Sequence, residues 1–79
     1  MTFGENLKKI RKDMKLTQQE MADFMKISRT YLSDVENGHK YFSLVGLIVI
    51  AKNMNISVNK LINDDIEVKH DKWNKKTIK

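Results

Sequence analysis

Ser28-Arg29-Thr30, followed at helical spacing by Ser33-Asp34, is the part of this chain best equipped to do chemistry. Arg29 carries a planar fork of donors that matches guanine O6 and N7. Thr30 offers a hydroxyl or methyl to a base edge, and Ser33 and Asp34 offer acceptors further along. This is recognition chemistry, because nothing pairs these groups into a nucleophile, a base and an orienting acid. His39 and His70 stand alone, away from any ligand partner at i, i+4, and no Gly-rich phosphate loop or acid pair occurs. The reading is therefore of a non-enzymatic chain with no metal and no cofactor.

Helical elements must position those residues. Thr17-Gln-Gln-Glu20 is a capping box that opens a helix carrying Met21, Ala22, Phe24 and Met25. Met25-Lys26-Ile27 reads as a tight turn, and Ser28 caps a third helix with Leu32 and Val35 inward. Asn37-Gly38 ends it, glycine being the usual residue in the left-handed position past a helix. Two helices joined so tightly cross steeply, and the second then protrudes far enough to enter the major groove of B-DNA.

Upstream, Thr2 to Glu5 is another capping box, and Phe3, Leu7, Ile10 and Met14 form one apolar stripe. Downstream, the loop His39–Phe42 leads to Ser43, the cap of a fourth helix ending at Asn53 or Met54. Ser57 caps a fifth helix with Val58, Leu61 and Ile62 apolar. Met14, Met21, Met25 and Met54 are read as inward core residues. Free amides at the helix starts, Thr17-Gln18, Ser28 and Ser43, favour phosphate. Lys40 and Tyr41 can clamp flanking phosphates. The expected class is all-α, with a five-helix domain over residues 1–63 and a charged tail over 64–79.

Composition agrees with an anionic partner. The 79 residues hold 15 Lys and Arg against 10 Asp and Glu, a net charge of +5. A lysine-rich surface that merely keeps a small chain soluble would look the same. The absence of cysteine excludes disulfides and thiol chemistry. Leu47–Ala51 is the longest apolar run, far below the roughly 20 residues a membrane span needs. Met1–Glu5 lacks the layout of a secretory signal, so the expected location is the cytoplasm.

The ordered pattern Leu7-x-x-Ile10-Arg11, Leu16-Thr17-Gln18-x-Glu20-x-Ala22, Ile27-Ser28, Tyr31-Leu32-Ser33-x-x-Glu36-Asn37-Gly38 resembles the phage-repressor-like (Xre-type) helix-turn-helix family. Leu47-x-x-Ile50-Ala51-x-x-Met54-x-Ile56-Ser57-x-x-x-Leu61 continues the match, which runs over residues 4–63. The resemblance implies a five-helix, lambda-repressor-like fold and sequence-specific binding to double-stranded DNA as a homodimer that regulates transcription. It puts Gln18 at the phosphate-contacting start of the second helix and makes Ser28, Arg29, Thr30 and Ser33, with Asp34, the recognition positions. Together with the reading of the residues, base contacts are expected from Arg29, Thr30, Ser33 and Asp34, and backbone contacts from Arg11, Gln18, Ser28, Lys40, Tyr41 and Ser43. It also implies that Arg11 and Glu36 pair between the first and third helices.

Two departures carry expectations of their own. Lys26 stands where the family often has glycine, which predicts a non-glycine residue at positive φ. The fourth helix is apolar at Val45, Ile48 and Val49, where the family is usually polar. Those residues, with Trp73, form the expected dimer interface, although scattered exposed aliphatics are ordinary in small domains. In the tail, Ile66 and Val68 alternate as in a short strand. A continuation of the fifth helix toward Trp73, or a solvated terminus, is equally readable. A dimeric repressor is the leading expectation. An antitoxin-like regulator with a small protein partner is the alternative.

Overall fold

The computed structural model describes residues 1–62, in which the element order is α1 (Phe3–Asp13), α2 (Gln18–Met25), α3 (Arg29–Glu36), α4 (Leu44–Met54) and α5 (Val58–Ile62). The expected tail, with Trp73, lies outside the described residues. Each helix starts where a short polar side chain can satisfy an amide that has no partner within the helix. Thr2 and Thr17 both form complete capping boxes with Glu5 and Glu20. Ser28, Ser43 and Ser57 accept from the amides of Tyr31, Gly46 and Lys60 at 3.0, 2.9 and 3.1 Å.

The core is built from one face of every helix. Leu7, Met21, Leu32, Val35 and Leu61 are almost fully buried, joined by Ile10, Ala22, Met25, Ile50, Ala51 and Met54. Here α1 packs on α3 and α5, α2 on α3 and α4, and α4 on α5. Three of the four methionines expected in the core are there. Met14 is not: it is 42% exposed. The apolar stripe points to it, but α1 ends at Asp13 and Met14 is the C-cap, so the periodicity no longer applies. Phe24 and Ile62 are exposed as well.

Two contacts fix the position of α1. The Asn6 side chain is buried and donates to the Lys60 and Leu61 carbonyls at 3.0 and 2.8 Å, binding α1 to the last turn of the bundle. On the other side Gly4 sits against the end of α3. A Cβ there would come within 2.5 Å of the Val35 carbonyl oxygen and 2.6 Å of that of Glu36. Only a residue without a side chain permits that approach.

Candidate nucleic-acid interface

The turn between α2 and α3 sets how α3 stands out from the body. Lys26 ends α2 with φ 64° and ψ 41°, the left-handed conformation expected for a residue in the usual glycine position. The Ile27 amide reaches back to the Ala22 carbonyl at 3.0 Å. Ser28 then has extended backbone and caps α3. Lys15 and Asn55 are also left-handed, at φ 60° and 55°. The helical pattern of the sequence breaks near both, but nothing in its spacing marks that conformation.

Leu32 and Val35 hold the inner face of α3 in the core. Ser28, Arg29 and Thr30 are exposed, and Ser33 and Asp34 half-exposed, so the expected reading residues share an accessible surface. Among the described residues, no side-chain partner engages Arg29 or Thr30. Ser33 Oγ accepts from Asn37 Nδ2 at 3.5 Å, a long contact one helical turn away.

A buried polar cluster anchors α3 from behind. Arg11 Nε donates to Glu36 Oε2 at 2.8 Å and Nη2 to Oε1 at 3.3 Å, the pairing that the family resemblance implied. The Glu36 side chain is 1% exposed and that of Arg11 11%. Gln18 Nε2 donates to Glu36 Oε1 at 3.1 Å, and Arg11 Nη1 donates to the Leu16 carbonyl at 2.9 Å. The cluster therefore ties α1, the loop before α2, the first turn of α2 and the last turn of α3 into one unit. Gln18 was expected only to face phosphate. Its link to Glu36, eighteen residues away, had no signal in the local sequence.

A second arrangement holds the loop after α3. The Tyr31 hydroxyl donates to the Tyr41 carbonyl at 3.1 Å, and Phe42 packs edge-on against Phe3 and Tyr31. The His39 and Lys40 amides donate to the Asp34 carbonyl at 2.8 and 3.3 Å. The Asp34 carboxylate in turn pairs with Lys40 Nζ at 3.6 Å. A residue expected to meet bases and one expected to meet phosphate are thus in contact. Tyr41 and Ser43 are exposed on the same loop.

On α4 the inner face supplies Ile50, Ala51 and Met54 to the core, while Leu44, Val45, Ile48 and Val49 are exposed. Their spacing, i, i+1, i+4 and i+5, makes one continuous outer stripe.

Comparison with known proteins points the same way. A family model described as helix-turn-helix matches residues 7–61. The immunity repressor protein of Bacillus phage phi105 is 35% identical over 71 residues, covering 90% of this chain and 49% of that protein. This chain therefore spans about half the length of that repressor. The control protein C.MunI of a Mycoplasma species is 40% identical over 63 residues, covering 78% of this chain and 85% of its own. Among solved structures, the restriction-modification controller protein C.AhdI from Aeromonas hydrophila superposes with a TM-score of 0.71 at 30% identity, covering 77% of this chain and 92% of that one.

Proposed function

This chain belongs to the phage-repressor-like helix-turn-helix family of sequence-specific, DNA-binding transcriptional regulators, and on that premise we propose that it is a cytoplasmic, dimeric repressor reading a pseudo-palindromic operator through α3. The observation that carries this reading is the face of α3. Arg29 and Thr30 are exposed and held by no described side chain, on a helix locked from behind by Glu36, Arg11 and Gln18. A rigid helix presenting unspent hydrogen-bonding groups loses little freedom on docking into a groove.

In this reading Arg29, Thr30, Ser33 and Asp34 specify the site. The amides at the starts of α2, α3 and α4, with Gln18, Ser28, Tyr41 and Ser43, position the phosphates. Arg11 spends three of its donors inside the protein, so its main role is to hold α3 in place. The outer stripe of α4 supports a second copy as partner. A helix with apolar residues on both faces is usually covered on both, and a self-complementary patch generates a two-fold dimer. Half-sites then lie about one helical turn apart. Occupancy of a promoter by such a dimer represses by excluding polymerase.

The test is selection of bound duplexes from a randomised DNA pool at physiological salt. An enriched two-fold motif is expected, and Arg29→Ala should relax preference at one base pair at a cost of about 1–3 kcal/mol. A motif containing a single half-site would retain the reading helix and overturn the symmetric dimer. Equal losses for Arg29→Ala on selected and random DNA would overturn its role as a base reader.

A further inference from the structure

Asp34 raises a question that the DNA-binding reading leaves open. A carboxylate on a DNA-facing helix is repelled by every phosphate, so unless it is compensated it weakens binding to all duplexes alike. Here the compensation is built in. The Asp34 carbonyl accepts from the amides of His39 and Lys40, so the loop is hydrogen-bonded to the residue that bears the carboxylate. Gly38, at φ 82°, turns the chain back to make this possible. The Lys40 ammonium then lies 3.6 Å from the carboxylate and 5.9 Å from the centre of the Tyr31 ring. Tyr31 is itself bonded to the same loop through its hydroxyl. Backbone and ring bring Lys40 beside Asp34, where the two charges make a weak, solvent-open pair.

We propose, resting on the reading of α3 as the recognition helix, that Asp34 and Lys40 act as one specificity unit that selects cytosine in the major groove. The Asp34 carboxylate only accepts hydrogen bonds. It therefore matches the cytosine N4 amino group, is repelled by the acceptors N7 and O6 of guanine, and at adenine meets an N6 donor flanked by the repelling acceptor N7. Asp34 lies one turn beyond Thr30 on α3, which sets it on the same side of the helix as that reading residue. Lys40 is its counter-ion. On an unmatched duplex the two charges cancel, and the pair adds nothing to indiscriminate attraction. On the matched base pair the carboxylate turns to the amino group and the ammonium to the adjacent phosphate. The exchange is easy because the pair is open to solvent, with side chains 30% and 59% exposed, and such pairs are weak.

The experiment is a four-member cycle of the full chain, comprising the unaltered protein, Asp34→Asn, Lys40→Gln and the double variant. Each is measured on its selected duplex, on duplexes with each base pair replaced, and on random DNA at two salt concentrations. Both altered side chains lie at the surface, and far-ultraviolet circular dichroism checks that each variant folds. The unaltered chain should prefer a C·G pair at one position by roughly 5- to 150-fold. Asp34→Asn should lose that preference or move it toward A·T, whose adenine suits an amide, and should bind random DNA more tightly. Lys40→Gln should weaken preference at that same base pair, and the two effects should not add.

A Lys40→Gln variant that weakens every duplex equally, with additive effects, would leave Lys40 an independent phosphate contact and overturn the unit. So would an Asp34→Asn variant with unchanged base preference. If the unaltered chain selects no motif at all, the reading of α3 fails and the unit fails with it. A motif that survives both substitutions overturns the unit alone.

Discussion

Replacing Glu36 by leucine tests whether the buried cluster both stabilises the fold and aims α3. In the native chain the Glu36 carboxylate, 1% exposed, takes donors from Arg11 Nε at 2.8 Å, Arg11 Nη2 at 3.3 Å and Gln18 Nε2 at 3.1 Å. Glu36→Leu leaves the Arg11 guanidinium, 11% exposed, without its anion. Removing one member of a buried pair costs about 3–5 kcal/mol, and some exposure of Arg11 places the expectation near the low end. Domains hold about 0.05–0.15 kcal/mol per residue, so 79 residues have roughly 4–12 kcal/mol in total. The substitution therefore removes a quarter or more of the stability. At a urea slope of about 1 kcal/mol per molar, the unfolding midpoint should fall by about 3 M. The double variant Arg11→Met, Glu36→Leu should recover most of that loss, because an apolar pair leaves no buried charge. It will not recover all of it, since the Leu16 carbonyl also loses its donor. In a filter-binding assay the double variant should remain folded yet bind its selected duplex less tightly and less selectively. A Glu36→Leu cost below about 1 kcal/mol, or a double variant as unstable as the single, would refute the buried-charge argument. A stable double variant that binds like the native chain would refute the aiming role.

Four further perturbations follow from the geometry. Gly4→Ala should destabilise by about 1–3 kcal/mol despite alanine's better helix propensity, because its Cβ meets the Val35 and Glu36 carbonyl oxygens; chemical denaturation measures it. At the α2–α3 turn, where Lys26 has φ 64°, Lys26→Gly should change stability by under about 1 kcal/mol in either direction, as relief of strain is offset by a more flexible unfolded chain. Lys26→Val should lower the thermal midpoint clearly, since a β-branched residue resists that conformation. The Glu5 carboxyl is held below its ordinary range, chiefly by the hydrogen bond from the Thr2 amide and then by the Thr2 side chain. Its contribution is complete above the ordinary glutamate range and disappears as pH falls through the lowered folded value. Urea midpoints of the native chain and Glu5→Gln should therefore converge on acidification, and a gap that widens would reverse the argument.

Much of the architecture is local and could be read without coordinates. Five helix starts were legible because Thr2, Thr17, Ser28, Ser43 and Ser57 each satisfy an amide three residues ahead, a contact that depends only on neighbouring sequence. The inward residues Leu7 and Ile10 of α1 and Leu32 and Val35 of α3 followed from helical spacing, while those of α4 came with the family resemblance. Phe24, grouped with the apolar residues of α2, is exposed. The proposed reading residues of α3 are the polar remainder of its spacing. The same rule misplaced Met14, since periodicity is silent about where a helix stops.

What tertiary structure decided are the contacts between residues distant in sequence. Asn6 meets carbonyls 54 and 55 residues away, and Gly4 is needed only because α3 ends beside it. The Arg11–Glu36 pair could be anticipated from family resemblance, but Gln18 joining it could not. Asp34 and Lys40 look like separate contacts in the sequence, and the turn at Gly38 makes them neighbours. Capping and amphipathic spacing are set by forces acting within one helical turn, so the chain by itself determined where its helices start and most of the residues they turn inward. Which polar groups share a charge or lose their solvent depends on where those helices pack, and only the assembled bundle settles it.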